Sequence, residues 1–308
     1  MALINLQDYP VRGVLHILLQ DKTTKKNIIW ATDAYSSLGQ LDRYQITVDA
    51  LLGMSPVMIQ PRCLKSLEEQ QQRTRKKAEV FTPVWLCNQM NNFCDTEWFG
   101  RENVFNRECG HTWDVTDDKI QFPKGKRWQR YVDSRRLEIT CGEAPYLVSR
   151  YDMSTGELIV PPYRRIGILD RKLRIVDENT DTKEEWLKWA LRAFQSVYGY
   201  EYQGDSLLIA RINLLLTFVD YYNYRWDEDP DSKTLKKLSN IIAWNLWQMD
   251  GLKDTVPLGS PYVEHRQLTI FDFLETQEEK KDVALPCKIF DWRAKRSLLF
   301  KDLKGDKR

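Results

Sequence analysis

The segment between residues 137 and 252 alternates short apolar runs with longer amphipathic ones, and this alternation limits the fold more than any other feature of the sequence. The short runs "LEIT" and "YGYEY", and the apolar residues before "QMDGL", predict strands that end at a turn or an acid. The longer runs "TKEEWLKWALRAF", "DSLLIARINLLLTFVDYY" and "KTLKKLSNIIAW" carry apolar residues at helical spacing. Strand, helix, strand, helix, strand is typical of a parallel sheet, so we expect an α/β fold.

Three acids stand where these predicted strands end, namely Glu138, Glu201 and Asp250. The ends of consecutive strands in a doubly wound sheet lie side by side, so the three carboxylates are expected to line one crevice. Such a crevice suits a nucleoside, because an acid after the second strand can bind both ribose hydroxyls. The alternative interpretation is that the acids are ordinary strand-end carboxylates facing water.

The segment "LEITCGEAPYL" resembles the first motif of adenine-N6 DNA methyltransferases of the modification-subunit type, commonly written L-D-P-A-C-G-S-G-x-F-L. The resemblance places Glu138 at the acidic position, Cys141 and Gly142 at the C-G pair, and Ala144 at the second glycine. Relative to the motif, glutamate replaces aspartate, Ile139 replaces proline, and alanine replaces a glycine that lets the backbone approach the cofactor.

Three further segments resemble motifs of the same family. "AEVFTPVWLCNQM" is similar to its G-x-[FY]-[FY]-T-P segment, which implies that Phe81, Thr82 and Pro83 contact the methionine end of S-adenosylmethionine. "YGYEYQGDSLLIARINLLL" resembles the second motif, which implies that Glu201 binds the ribose. "NIIAWNLWQMDGL" resembles the third, N-I-x-x-G-D-x-L, and would place Asp250 near the adenine amino group.

The order of these segments is the gamma arrangement of the family, and most of the chain looks like bacterial proteins labelled restriction endonuclease subunit M. The resemblance implies a Rossmann-like S-adenosylmethionine-dependent methyltransferase fold with an N-terminal extension. It implies S-adenosyl-L-methionine as cofactor and double-stranded DNA as substrate. A recognisable target-recognition domain is missing, so a separate specificity or restriction subunit is an expected partner.

The catalytic tetrapeptide of the family, N-P-P-[YF] or D-P-P-[YF], does not occur in this sequence. The nearest matches are "VPPY" at 160–163, which precedes the second motif, and "GSPY" at 259–262, which follows Asp250. We interpret both as chance matches, which leaves the catalytic residues unassigned, with Ser260 and Tyr262 as the candidates. Two functions therefore stay open: an active DNA adenine-N6 methyltransferase or modification subunit of a restriction or defence system, and a catalytically inactive methyltransferase-like subunit that binds DNA or a partner.

The pattern divides the chain into a mixed or helical N-terminal extension (1–77), a methyltransferase-like domain (78–255), and a C-terminal tail or small subdomain (256–308). An insertion around 148–182 is expected, because the 63 positions from Glu138 to Glu201 exceed what one crossover helix needs.

With 46 Lys and Arg against 44 Asp and Glu, no global basic field indicates nucleic acid. Scattered cysteines and the lack of a signal or membrane-spanning pattern predict a cytoplasmic protein with reduced thiols and no membrane partner.

Two charged segments, "EEQQQRTRKK" and "ILDRKLRIVDEN", are expected to face solvent. Functional alternatives for such residues are phosphate contacts in the first segment and a metal-dependent nuclease site in the second. A zinc site is a further alternative. The nuclease alternative depends on Asp170, Asp177 and Glu178. The zinc alternative depends on Cys94, Cys109 and His111.

Overall fold

A computed structural model describes residues 3–77, 82–259 and 284–304, which form a mixed α/β structure. The helices are α1 (Val11–Leu18), α2 (Val48–Leu52), α3 (Leu67–Lys77), α4 (Val84–Phe99), α5 (Trp128–Val132), α6 (Ile168–Asn179), α7 (Lys183–Phe194), α8 (Gly204–Trp226) and α9 (Ser232–Asn245). The strands are β1 (Asn106–Cys109), β2 (Thr112–Val115), β3 (Arg136–Glu138), β4 (Val197–Glu201), β5 (Leu246–Gln248), β6 (Lys288–Asp291) and β7 (Arg296–Leu299). Short 3-10 turns lie at Ser36–Leu38, Arg62–Leu64, Pro162–Arg164 and Phe300–Lys304.

A three-stranded parallel sheet lies at the centre of the molecule, in the order β3, β4, β5. Helices α6 and α7 connect the first two strands, and α8 and α9 connect the second pair. Every residue of β4 is buried, as expected for the middle strand of a sheet that is covered on both faces. The predicted parallel sheet is therefore confirmed.

Local sequence signals explain where the helices of this sheet begin. The Thr182 hydroxyl accepts a hydrogen bond from the Glu185 backbone N–H (3.2 Å), which caps α7 as its sequence predicts. Asp231 caps α9 in the same way through the Thr234 N–H (2.8 Å). Helix α8 begins at Gly204, one residue before the run "DSLLIARINLLLTFVDYY" that predicts it.

The N-terminal residues share one hydrophobic core with the helices that cover the sheet. Val11, Leu15 and Trp30 are buried in the same cluster as Leu208 and Phe218 of α8. The cluster therefore extends across the predicted boundary at residue 78, and the residues before that boundary are part of the structure that supports the sheet.

The two charged segments that are expected to face solvent are partly buried. Asp170, Arg171 and Lys172 of α6 are almost completely inaccessible, and so is Arg73 of α3. Each of these side chains has a partner that is distant in the sequence: Arg171, for example, forms an ion pair with Asp95. The expectation of solvent exposure is wrong here because a charged run does not show which partners the fold will bring to it.

Two antiparallel hairpins flank this core. Strands β1 and β2 pair beside α4, and β6 and β7 pair beside α9. Residues of the second hairpin and the turn after it pack on Tyr200 and Trp247 of the parallel sheet. In the part of the chain that the structure describes, no helix combines the length and apolar character that a membrane span requires.

Candidate functional site

A cavity of about 1490 Å³ opens at the carboxyl edge of the parallel sheet, where β3 and β4 end. Its inner wall includes Glu138, Gly142 and Glu201, and its outer wall includes residues of α4. Open α/β sheets bind ligands at this edge, in the crevice outside the carboxyl ends of the strands. We therefore take this cavity as the candidate functional site.

Glu138 is the last residue of β3, and its carboxylate holds the chain that follows. The two oxygens accept hydrogen bonds from the backbone N–H groups of Tyr146 (3.3 Å) and Leu147 (3.1 Å). Burial raises the pKa of Glu138 to about 8, the two amide hydrogen bonds oppose this rise, and the charge of Glu201 adds to it. Glu138 therefore fixes the shape of the loop at the base of the cavity.

Glu201 ends the neighbouring strand β4 and links two loops of the cavity. Its Oε2 accepts from the Gly142 backbone N–H (2.9 Å), and its Oε1 accepts from the Gln203 N–H (3.1 Å). Burial raises the pKa of this carboxyl above its ordinary value, and the amide donors oppose the shift. A carboxylate can accept more than these two hydrogen bonds, so Glu201 retains capacity for hydroxyl donors of a ligand.

The loop between these acids has an unusual backbone. Thr140, Gly142 and Ala144 have φ angles of 46°, 53° and 66°, in the left-handed region. This region costs a non-glycine residue roughly 1–2 kcal/mol, and such strain is concentrated at ligand sites. Ala144 thus adopts the conformation that glycine favours, at the position where the resembling motif has its second glycine. A Cβ atom on Gly142 would meet no atom within 4 Å, so this part of the backbone borders open space.

Helix α4 forms the outer wall of the cavity, and motif reasoning did not identify its residues. Met90 and Phe93 line the cavity one helical turn apart. The Asn91 side-chain amide donates to the backbone oxygens of Tyr146 and Ile166, both at 3.0 Å, and so ties α4 to the loop after Glu138. The apolar spacing in "WLCNQMNNFC" is the signal that could have indicated this wall.

The structure brings most of the predicted binding residues that it describes to this cavity. Thr82, Glu138, Cys141, Gly142 and Glu201 all line it. Burial raises the pKa of the Cys141 thiol well above its ordinary value, which makes a nucleophilic role for this residue unfavourable. Pro83 directly precedes α4 and is not among the lining residues. The remaining predictions at Phe81, Ser260 and Tyr262 lie outside the described residues.

The structure does not bring the third predicted acid to the other two. The Asp250 carboxylate accepts from the Leu252 N–H (3.0 Å) and Lys253 N–H (3.3 Å) of its own turn, and it does not line the cavity. The end of β5 is occupied by Gln248, whose side chain exchanges two hydrogen bonds with the backbone of Ile29 (2.9 and 2.8 Å).

The alternative metal chemistries find no support in the described ranges, where no group of three or more potential metal ligands is present. Asp170 instead accepts from the Ser149 N–H (2.8 Å), and Asp177 accepts from the indole N–H of Trp186. Both acids therefore have structural partners.

Comparison with models of known protein families, with curated proteins and with solved structures gave no match. The family resemblance therefore stays a prediction from the motifs.

Proposed function

We propose that this chain binds S-adenosyl-L-methionine in the cavity and serves DNA adenine-N6 methylation in a restriction or defence system. One observation carries the proposal: the loop that resembles the first methyltransferase motif follows β3, and the acid of the second motif ends the adjacent parallel strand in the same cavity. This is the arrangement by which doubly wound sheets bind nucleosides. Under this proposal, β3, β4 and β5 are the first three strands of a Rossmann-like methyltransferase fold.

The residues of the cavity fit such a cofactor. The cavity has a volume of about 1490 Å³, which exceeds the ~300–1,000 Å³ of common small-molecule sites and so leaves room for a nucleoside cofactor. When bound, S-adenosylmethionine supplies an activated methyl group. Glu201 would accept from the ribose hydroxyls, Glu138 holds the loop that would contact the nucleoside, and Thr82 would lie beside the methionine end.

Isothermal titration with S-adenosylmethionine tests the proposal. We expect the wild-type chain to bind, and Glu201→Gln to bind at least tenfold more weakly, because a hydrogen bond to a charged group contributes about 1.5–3 kcal/mol. Glu102→Gln, at an exposed position away from the cavity, is the matched control and should bind like the wild type. Lack of heat with a folded wild-type chain would exclude the proposal.

A catalytically silent subunit is the second candidate, in which the methyltransferase-like fold serves to bind DNA or a partner. Two observations favour it: the sequence contains no N-P-P-[YF] or D-P-P-[YF] tetrapeptide, and Asp250 caps its own turn. Incubation with cofactor carrying a labelled methyl group and with double-stranded DNA of all sequence contexts separates the candidates. Label in adenine supports the active enzyme, whereas salt-sensitive DNA binding without label supports the silent subunit.

A further inference from the structure

A groove with a volume of about 850 Å³ lies on the surface between helices α5, α7 and α9. In the part of the chain that the structure describes, it shares no lining residue with the candidate cavity. We call it the α7 groove, because α7 contacts both of the other helices. Five cations among the described residues line it, namely Arg130 of α5, Lys188 and Arg192 of α7, and Lys233 and Lys237 of α9.

Three acids of the described chain also line the α7 groove, and groups of the fold already engage two of them. Asp133 forms ion pairs with the guanidinium groups of Arg192 (2.5 Å) and Arg293 (2.7 Å). Asp231 caps α9, and its two oxygens accept from the N–H and the hydroxyl of Thr234 (2.8 and 2.9 Å). These two carboxylates therefore serve the fold itself.

The remaining charge of the groove is positive. Within residues 3–77, 82–259 and 284–304, no acid forms an ion pair with Arg130, Lys188, Lys233 or Lys237. All four side chains are exposed, and Glu184 is the one further acid that lines the groove in these ranges. Four unpaired cations against one carboxylate make the groove a site for an anionic molecule.

The chain that leads into α5 extends this positive charge. The segment 123–130, "PKGKRWQR", carries four cations and no acid. Lys124, Lys126 and Arg127 are exposed and precede Arg130 directly. Lys126 donates to the Trp98 carbonyl (2.5 Å), which does not neutralise its charge. The groove and this segment form a local basic field on a chain whose net charge is only +2.

The α7 groove offers no exposed apolar anchor. Leu187, Trp189 and Leu191 are the large apolar side chains that line it in the described ranges, and none of them is exposed. Trp189 packs edge-on against Trp128, with ring centroids 4.8 Å apart. Binding of a protein partner depends on aromatic or apolar anchors near the centre of the interface, whereas phosphate contacts require cations and polar donors. The groove therefore suits a phosphate backbone better than a protein.

The α7 groove also lies close to the candidate cavity. Asp133 lines the groove, and Arg136, three residues later at the start of β3, lines the cavity. Three residues span at most about 11 Å even in a fully extended chain. One turn of duplex DNA spans about 34 Å. A duplex in the groove is therefore long enough to reach the mouth of the cavity.

We propose that the α7 groove binds the phosphate backbone of double-stranded DNA through Arg130, Lys188, Lys233 and Lys237. Such contacts position a duplex without reading its sequence. That the bound duplex presents an adenine to the cavity rests on the proposed function, whereas the phosphate contacts do not depend on the cofactor. A single strand fits less well, because its binding depends on bases that stack on accessible aromatic rings, and Trp189 is partly buried against Trp128.

Fluorescence anisotropy with a labelled duplex of about two helical turns tests the proposal. Four phosphate contacts predict a slope of about −3.6 for the logarithm of the binding constant against the logarithm of the salt concentration. Affinity should therefore fall roughly a hundredfold between ~50 and ~200 mM salt.

The double variant Lys233→Gln with Lys237→Gln removes two of the four contacts. It should reduce the slope by about 1.8 and weaken binding at least tenfold at ~50 mM salt. The matched control is Lys25→Gln with Lys301→Gln, which removes the same charge at two exposed positions outside the groove and the cavity. This control should bind the duplex like the wild type.

Lysine acetylation followed by mass spectrometry gives a residue-specific readout. Bound duplex should protect Lys188, Lys233 and Lys237 from acetylation and leave Lys25 and Lys301 reactive. The proposal is overturned if the wild type does not bind the duplex, if the double variant keeps the wild-type slope, or if the groove lysines stay reactive. Tighter binding of single-stranded DNA or of polyglutamate than of the duplex would also overturn it.

Failure of this inference is distinguishable from failure of the proposed function. Glu201→Gln should lose cofactor binding and keep duplex binding, because Glu201 does not line the groove. Groove-dependent duplex binding without cofactor binding to the wild type would support the groove and exclude methylation. Cofactor binding without duplex binding would exclude the groove and leave the cofactor site supported.

Discussion

Glu138 couples the stability of the fold to pH. Its pKa is about 8 in the folded protein against an ordinary value of 4.5, because the carboxyl is buried. Between these values the folded state keeps a proton that the unfolded state releases, so the stability that this group contributes is fully present below about pH 4.5 and is lost as the pH rises toward 8. Glu138→Gln should remove this contribution, which amounts to about 1.4 kcal/mol per pH unit within the window.

Denaturant unfolding at several pH values across this window checks the expectation. Asp170, Asp177 and Glu201 also have raised pKa values, so the variant should retain part of the slope. The exposed variant Glu102→Gln should reproduce the wild-type slope. Equal slopes for Glu138→Gln and the wild type would show that this carboxyl ionises normally in the fold.

Thr140 stores strain in the loop of the candidate site. It is exposed and β-branched, and its φ angle of 46° is one that such residues rarely adopt. Thr140→Gly should relieve this strain and raise the free energy of unfolding by about 1 kcal/mol, because little packing is lost. The exposed Thr155, which is not in the left-handed region, offers a control that should lose stability on the same substitution. Thermal denaturation of both variants measures these changes in stability. A loss of stability in Thr140→Gly as well as in Thr155→Gly would contradict the assigned backbone strain at Thr140.

Helix α6 organises the parallel sheet through buried polar side chains. The Lys172 side-chain nitrogen donates to the Ser134 carbonyl (2.5 Å), before β3, and to the Ser196 hydroxyl (2.6 Å), before β4. Asp170, two residues earlier in the first turn of the helix, accepts from the Ser149 N–H (2.8 Å), in the segment after the site loop. Because these bonds hold both strands and the loop, α6 is the element that fixes the base of the cavity.

The ion pair between Arg171 and Asp95 joins α6 to the cavity wall α4 and offers a sharp test of this arrangement. Both side chains are buried, and Tyr131 donates a further hydrogen bond to Asp95 (2.7 Å). Asp95→Ala should reduce the free energy of unfolding by about 3–5 kcal/mol, because it leaves a buried guanidinium without its counter-ion. The double variant Asp95→Leu with Arg171→Met should recover most of the loss. Chemical denaturation measures both, and a double variant less stable than Asp95→Ala would contradict the electrostatic explanation.

The sequence predicts the elements that are determined by neighbouring residues, such as helix caps and apolar spacing. It does not predict the contacts between residues that are far apart in the sequence. Thr182 and the spacing after it determine α7 locally, and the strand–helix alternation yields the parallel pairing of β3, β4 and β5. The site acids at positions 138 and 201 follow from the same pattern. The burial of Arg171 depends on Asp95, 76 residues away, and no local pattern encodes this contact. Asp250 fails to reach the cavity because its short turn satisfies its carboxylate locally.

The whole molecule depends on its N-terminal residues more than the sequence indicates. The Arg211 guanidinium of α8 is completely buried and donates to the carbonyls of Leu18, Gln20 (3.0 Å) and Leu246 (2.6 Å). A buried guanidinium without hydrogen-bond partners would destabilise the folded state. The N-terminal chain therefore stabilises α8 by supplying two of the carbonyls that Arg211 needs.

Gly204 offers the most direct test of this dependence, because it lies where the N-terminal chain meets the first turn of α8. Its N–H donates to the Trp30 carbonyl (2.9 Å), and a Cβ atom at this position would lie 2.0 Å from the backbone oxygen of Ile29. Gly204→Ala should therefore cost at least about 2 kcal/mol of stability through overpacking and open residues 3–77 to limited proteolysis. Gly13→Ala is the matched control, because a Cβ atom on Gly13 in α1 would meet nothing within 4 Å and should stabilise the helix by about 0.5–1 kcal/mol. If both variants gain stability equally, the N-terminal chain does not pack against α8 in solution, and the support that it gives the candidate site would have to come from elsewhere.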